Sequence, residues 1–411
     1  MRDKETKFSN GKLRQYPHCN GNSVITGNRI KTIMHKLVVL PISLSIAFAV
    51  SLQGTSTPSR VELDHQKLFS SKVQEIASGD GKGKKEVFSR EHIYFDGNLK
   101  GKEENCNKDG EGKINGRKDG CRIATKTVRV LEVGQEYKNV TMNLKLECPN
   151  GNKCDWYDRA GYVAVKKDGN NIEIMRFKTP YGGGGINYTW TSQVTELQPL
   201  LKGNVQLELF IDTWVQPGHQ QGDGWLATVS FDFEEGSLSE RPVQVIPLWN
   251  EQDLKVGNKE EIKLETPELS IPGDANRVEL RSLITGHGQG NNLNCAEFCP
   301  QTHSYTVGKK KYSSRVWRDN CAENPFLTSL TAENKKWISN WTGSRAGWCP
   351  GDIVNPWVID VTEVAQPGTT VQVKYGIEGI EQYNKEPYIP NFQGERTDPF
   401  YRTSTVLIIY K

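Results

Sequence analysis

Acids set beside or between closely spaced cysteines raise the question of chemistry in this chain. In Glu147-Cys148-Pro149-Asn150-Gly151-Asn152-Lys153-Cys154-Asp155-Trp156-Tyr157-Asp158-Arg159-Ala160, two cysteines can pinch off a small loop, and a cluster of acids and aromatics follows at once. The chain then turns apolar at Gly161-Tyr162-Val163-Ala164-Val165, so a strand is expected to begin there. The carboxylates thus fall at a loop-to-strand junction, where a rigid scaffold presents reactive groups. A disulfide loop behind Asp158 stiffens the backbone, the pre-organisation a general base requires. The competing reading is a surface turn with solvated acids. A second stretch, Asn294-Cys295-Ala296-Glu297-Phe298-Cys299-Pro300-Gln301-Thr302-His303, sets an acid inside a cysteine-bounded loop. Farther on, Arg345-Ala346-Gly347-Trp348-Cys349-Pro350-Gly351 adds a cation and an indole. Between them, Val205, Leu207, Leu209 and Ile211 alternate onto a core face, which puts Asp212 and Trp214 together on the opposite face near a strand end. A carboxylate beside an exposed indole is a platform for a sugar. The plain alternative is an ordinary outward Asp and a half-buried Trp.

Read together and in this order, these four stretches resemble the peptide-N-glycosidase F family, over roughly residues 88–410. A Cys-Ala-Glu-Phe-Cys loop followed by Thr302-His303, and later Arg-Ala-Gly-Trp-Cys-Pro-Gly, is far more specific than either alone. The resemblance implies two jelly rolls side by side and an amidase that hydrolyses the bond between the innermost N-acetylglucosamine and asparagine, without a cofactor. It implies Asp158 as the principal catalytic acid, Glu297 as the second, and Asp212 at a third position. It further implies that Arg159 and Arg345 line the cleft and that Trp214 and Trp348 pack on the two inner sugars. Three departures stand out. Asp212 replaces the family's glutamate, one methylene shorter. Tyr157 replaces a tryptophan beside Asp158. Gly286-His287-Gly288-Gln289 replaces Gly-Trp-Gly-His, so His287 stands where an indole would lie over the glycan.

The elements that must position these loops read as strands. Of 411 residues, 39 are glycine, 10 Trp and 14 Tyr, and helix-period apolar stretches are scarce. That composition indicates an all-β protein with many turns. Period-two runs suggest two all-β sandwiches, at 87–236 and 268–411, joined by a polar, proline-containing linker at 237–267. Within the first, 97–121 reads as a surface insertion. Its Asn107, Asp109, Glu111 and Gly112 mimic a calcium loop, but Lys118 stands where the closing glutamate would be. Residues 54–86, with a short helix at 61–76, read as linker or docking segment, including a solvated Lys82-Gly83-Lys84-Lys85.

Residues 37–52 form one long apolar run, shorter than the ~20 residues of a membrane helix and interrupted by Pro41. With Met34-His35-Lys36 ahead of it and Ala47-Phe48-Ala49 near its end, it reads as a signal peptide within the tail 1–53, starting at Met34. Export to the exterior or periplasm makes eight cysteines disulfide candidates. Sequence proximity suggests Cys106–Cys121, Cys148–Cys154, Cys295–Cys299 and Cys321–Cys349, and the last three are also what the resemblance implies. Cys295, Cys299 and His303 have zinc-like spacing, but no fourth ligand is evident and no metal is expected. A net charge of +3 without a long basic block points away from nucleic acid. The expected partners are N-linked glycoproteins or glycopeptides, met by a monomer with no stable membrane association. The alternatives are a non-catalytic glycan-binding protein on the same scaffold and a glycosidase cutting between the two inner sugars.

Overall fold

The computed structural model describes residues 81–95, 113–114, 117–118, 121–151, 153–182, 184–256, 264–288, 296–329, 338–378 and 399–411. The expected signal peptide, its Met34 start and the helix at 61–76 lie outside the described residues. The first half runs through β1 (Lys82–Ile93), β2 (Lys113–Ile114), β3 (Arg117–Lys118), β4 (Ile123–Arg129), β5 (Tyr137–Glu147), β6 (Ala160–Lys167), β7 (Asn170–Lys178), β8 (Asn187–Gln193), β9 (Asn204–Ile211) and β10 (Trp225–Glu235). The second runs through β11 (Pro242–Lys255), β12 (Glu268–Ser270), β13 (Arg277–His287), β14 (Gln301–Val307), β15 (Lys310–Val316), β16 (Trp357–Asp360), β17 (Thr370–Ile377) and β18 (Phe400–Tyr410).

Strand order identifies the architecture. The first half forms the sheets β1-β10-β5-β8 and β4-β9-β6-β7, with β2-β3 a separate hairpin; the second forms β11-β18-β13-β16 and β12-β17-β14-β15. With the hairpin set aside, each half pairs its first, last, third and sixth strands in one sheet and its second, seventh, fourth and fifth in the other. That is the jelly-roll order, reached twice, with antiparallel pairing throughout the named ladders.

Burial on both faces of certain strands joins the halves. In β18, Leu407 and Ile409 enter the second core while Val406, Ile408 and Tyr410 pack into the first. The unbroken run Val406-Leu407-Ile408-Ile409-Tyr410 therefore reflects a strand covered on two sides. At the seam β7 adds polar contacts: Arg176 donates to the carbonyls of Leu283 and Arg402 and to the hydroxyls of Thr285 and Ser404.

Several expectations need correction. The stretch taken as an interdomain linker contains β11, 14 residues paired with β18 through three register shifts. Pro242 and Pro247 are accommodated where the ladder is irregular, which is why the segment reads as a linker. Lys82-Gly83-Lys84-Lys85 belongs to β1, not to a solvated linker. Gly83 lies against Phe233, where an added Cβ would come within 2.2 Å of the ring. β8 and β15 were not anticipated, because edge strands carry the polar alternation of loops. On β9 both faces are covered: Glu208 and Phe210 are buried along with Leu207, Leu209 and Ile211.

Candidate active site

The Asp158 loop is pinned from several directions. Cys148 and Cys154 form a disulfide with Cα atoms 4.5 Å apart. The Trp156 N–H donates to the Gln221 carbonyl, and the Gly182 N–H to that of Trp156. Its centre is Asp155, whose carboxylate is fully buried. It accepts two bonds from Arg159, at 2.7 and 3.2 Å, one from the Thr213 hydroxyl at 2.7 Å, and one from the Tyr157 N–H at 3.0 Å. Asp155 thus ties the loop before β6 to the loop after β9. Those are the segments carrying Asp158 and Asp212. Sequence reading passed over Asp155; its position four residues before Arg159, next to a disulfide, was the available signal.

Asp212 lies just beyond β9, its N–H donating to the Ala160 carbonyl. Its carboxylate pairs with Arg122 at 2.8 Å, and the Arg122 guanidinium lies 4.4 Å from the centre of the Trp214 ring. Trp214 keeps about half its surface exposed, as do Phe298 and Tyr157 in smaller measure. These three aromatics, with Tyr181 edge-on to Tyr157, give the rim open ring surface.

Glu297 comes from the second jelly roll, in the loop between β13 and β14. The Gly288 N–H donates to its carboxylate at 3.1 Å, and Arg345 lies 3.4 Å from its other oxygen. Gly286 permits Ala296, and with it Glu297, to lie close against the end of β13, since a Cβ there would meet the Ala296 carbonyl oxygen at 2.4 Å. Arg345 also donates to the carbonyls of Gly343, Ser344 and Asn340, which fixes its position.

Between the acids lies a residue that sequence reading missed. Lys178 ends β7, its backbone N–H bonded to the Asp352 carbonyl of the second jelly roll. Its side chain is buried, with Nζ 4.1 Å from the centre of the Trp348 ring. Burial pushes the Asp158 carboxyl above its usual range, and Lys178 is the leading charge that opposes the rise. Burial likewise raises Glu297, opposed first by Lys178 and reinforced by Asp158. It raises Asp212 too, opposed by Arg122, Arg159 and Lys178. Burial pushes the Lys178 ammonium down, with Asp158, Glu297 and Asp212 all favouring its charge. Three acids from three loops and two jelly rolls thus share one field. The signal in the sequence was two cations, Arg176 and Lys178, alternating at the end of an apolar strand.

Trp348 requires correction. Its indole is only 1 % exposed, with its N–H donated to the Gly286 carbonyl, so it has no face open to a sugar. It supports Lys178 on one side and stacks with His287 at 6.0 Å. His287 is itself buried and bonded to Thr285 at 2.7 Å, and burial holds its imidazole neutral. It packs below the rim instead of lying over a ligand.

Cys321–Cys349 is a disulfide, and Cys121 and Cys299 are each disulfide-bonded, while Cys106 and Cys295 lie outside the described residues. Cys299 is therefore committed. His303, fully buried, bonds to the Tyr375 hydroxyl in the second core. Of the donors in the zinc reading, Cys299 is held in a disulfide and His303 engages Tyr375 through Nδ1, its Nε2 being buried without a hydrogen-bond partner among the described residues, while Cys295 lies outside them.

Comparison with known proteins follows the same division. The family model described as Peptide-N-glycosidase F, N terminal, matches residues 159–222, and that described as Peptide-N-glycosidase F, C terminal, matches 257–404, together just over half of the chain. The peptide-N(4)-(N-acetyl-beta-D-glucosaminyl)asparagine amidase F of Elizabethkingia miricola is 28% identical over 286 residues, 66% of this chain and 73% of that protein. A solved recombinant peptide:N-glycanase F is 24% identical with a TM-score of 0.61, covering 80% of this chain and 96% of the other. The structure of PNGase F, a glycosylasparaginase from Flavobacterium meningosepticum, is 23% identical with a TM-score of 0.60 over the same shares. These structural likenesses speak for the fold.

Proposed function

Because the chain belongs to the peptide-N-glycosidase F family, we propose that it hydrolyses the amide joining the innermost N-acetylglucosamine of an N-linked glycan to asparagine. The observation that carries the proposal is the meeting of Asp158 and Glu297, one from each jelly roll, in the field of one buried ammonium. In this reading Asp158 takes a proton from water as the water oxygen bonds to the side-chain carbonyl carbon. The carbon–nitrogen bond then breaks, nitrogen regains a proton, and aspartate and a glycosylamine leave. Glu297, oriented by Gly288 and Arg345, holds the amide. Arg159 is fixed by Asp155 and offers its remaining N–H groups to polar atoms of the sugar. The test is to weigh both products from a defined glycopeptide. An amidase leaves Asp on the peptide, whereas a glycosidase leaves a sugar on Asn. A product peptide that keeps a sugar on Asn, with no Asp formed, would end the proposal.

Two further outcomes follow. If Asp158 must be ionised, kcat/KM falls as pH drops through its raised pKa, so the acid limb lies above 3.8. A pH profile whose limb sits at or below 3.8 contradicts that role. Trp214→Ala is expected to raise KM about fivefold to tenfold, from the ~1 kcal/mol an aromatic contact contributes, with kcat nearly unchanged. Steady-state kinetics separates the two parameters. The disulfides support export into an oxidising compartment, and we read the exported protein as a monomer. Among the described residues no helix is long and apolar enough to cross a membrane.

The second reading, a glycan-binding protein without turnover, is favoured by the commitment of Asp212 to Arg122 and by the burial of Trp348. Glycan retention without product release selects it.

A further inference from the structure

Amide hydrolysis puts negative charge on the carbonyl oxygen, and something must receive it. The cations around the cleft differ in how far they are already engaged. Arg159 holds Asp155 through two bonds. Arg122 pairs with Asp212, and Arg345 is spread over three backbone carbonyls and Glu297. Among the described residues Lys178 makes no ion pair of this kind; its ammonium rests on the Trp348 ring. The main-chain bond to Asp352 and the adjacent Phe177–Ile353 bridge fix the end of β7 across the seam. The side chain is therefore carried by a rigid strand, supported by a buried indole, and set among the acids.

We propose that Lys178 is a catalytic residue, donating an N–H hydrogen bond from its ammonium to the oxyanion that forms on the scissile amide. The inference rests on the amidase reading above. As water oxygen bonds to the carbonyl carbon, its proton passes to Asp158 and the carbonyl π pair moves to oxygen, beside the ammonium. When the carbon–nitrogen bond breaks, the carbonyl re-forms and nitrogen takes the proton from Asp158. Lys178 keeps its protons throughout. A preorganised cation in a water-poor cleft stabilises such charge far more than one in bulk water. The same ammonium keeps Asp158 and Glu297 from being pushed still higher by burial.

The charged and titratable groups facing Lys178 are Asp158 and Arg159 from the loop before β6, Asp212 after β9, Glu297 before β14, and His287 at the end of β13. Burial keeps His287 neutral, so an alkaline loss of rate that disappears in the Arg variant reports the ammonium. Burial lowers that group, and kcat is expected to decline below the ordinary lysine value of 10.5.

The experiment is steady-state release of glycan from one defined glycopeptide, across pH, by the wild-type protein, Lys178→Met and Lys178→Arg. Lys178→Met is expected to lower kcat about a hundredfold, the scale of losing one oxyanion donor, with KM within about threefold. Its acid limb is expected to move up, because both acids lose their leading opposing charge. Lys178→Arg, which stays charged, is expected to keep kcat above that of the Met variant and to lose the alkaline limb. An active wild type whose Met variant keeps kcat within about threefold overturns this inference and leaves the amidase reading intact. A wild type that releases nothing overturns both. If the Met variant fails to fold, the wild-type and Arg profiles decide: an alkaline limb unchanged in the Arg variant overturns the role, and its loss supports it.

Discussion

Asn in place of Asp158 is expected to slow glycan release about a thousandfold or more, within the range a positioned general base contributes, while substrate binding is kept. The amide is nearly the same shape but cannot accept a proton at neutral pH. A structural role makes the opposite forecast for stability. Burial raises the Asp158 carboxyl in the fold, so the native state binds its proton more tightly than the unfolded chain. A group shifted in that direction contributes its stability below 3.8 and loses it as pH rises through the folded value. At neutral pH the ionised carboxylate is therefore a local strain on the fold, and Asp158→Asn should melt at the wild-type temperature or above it. Activity lost with stability kept is the signature of a group retained for function. Because Asp158 raises Glu297, the variant's residual activity should also show an acid limb at lower pH. Kinetics and thermal melting on the same preparation check both halves. Near-wild-type turnover would remove Asp158 from the chemistry.

How much of this was legible beforehand depended on whether a feature is local. The Cys148–Cys154 loop and the cysteine-bounded Glu297 loop were readable because both lie within a few residues of sequence. Interior strands such as β5 and β6 announced themselves by alternation. The edge strands β8 and β15 did not, since one side of their ladder faces away from the sheet and their residues are polar. β11 was hidden by its prolines and bulges. The buried charges escaped for a different reason. Pattern reading sends Asp155, Arg176 and Lys178 to solvent, because isolated charges are rarely buried. Asp155 and Arg176 have local ion partners in Arg159 and Glu173, but each of the three is also held by a group from far along the chain: Thr213 for Asp155, Thr285 and Ser404 for Arg176, Trp348 for Lys178. Trp348 was misplaced by the same limitation, since whether an indole faces a cleft or supports one is decided by the second jelly roll. The acids were visible as chemistry; the ammonium between them required the fold.

Arg176→Met should lower stability by about 3–5 kcal/mol and slow turnover as well, because Arg176 fastens the seam on which the site depends. Its side chain is 4 % exposed and pairs with Glu173, which is fully buried. Its other bonds reach the Leu283 and Arg402 carbonyls and the Thr285 and Ser404 hydroxyls, on β13 and β18. Methionine fills much of the volume but leaves the buried Glu173 carboxyl without its guanidinium partner, which is the costly way to break a buried pair. Glu251 adds to that cost. It is already pushed up to about 7 by burial and by Glu173, and Arg176 is one of the cations that restrain it. The double variant Glu173→Met/Arg176→Met removes the stranded carboxylate and should recover most of the lost stability, since well-packed apolar residues commonly replace such pairs without loss. Activity should not recover in parallel. Arg176 stands two residues before Lys178 on β7, and its partner Thr285 leads through His287 toward Glu297, so the pair sets the spacing between the two halves of the site. A displacement of about 1 Å there costs up to about a hundredfold in rate. Denaturant melts and glycopeptide kinetics on the single and double variants separate the two effects. A double variant with full turnover would mean that apolar packing alone, by Val406, Ile408 and Tyr410, holds Asp158 and Glu297 in register across the seam.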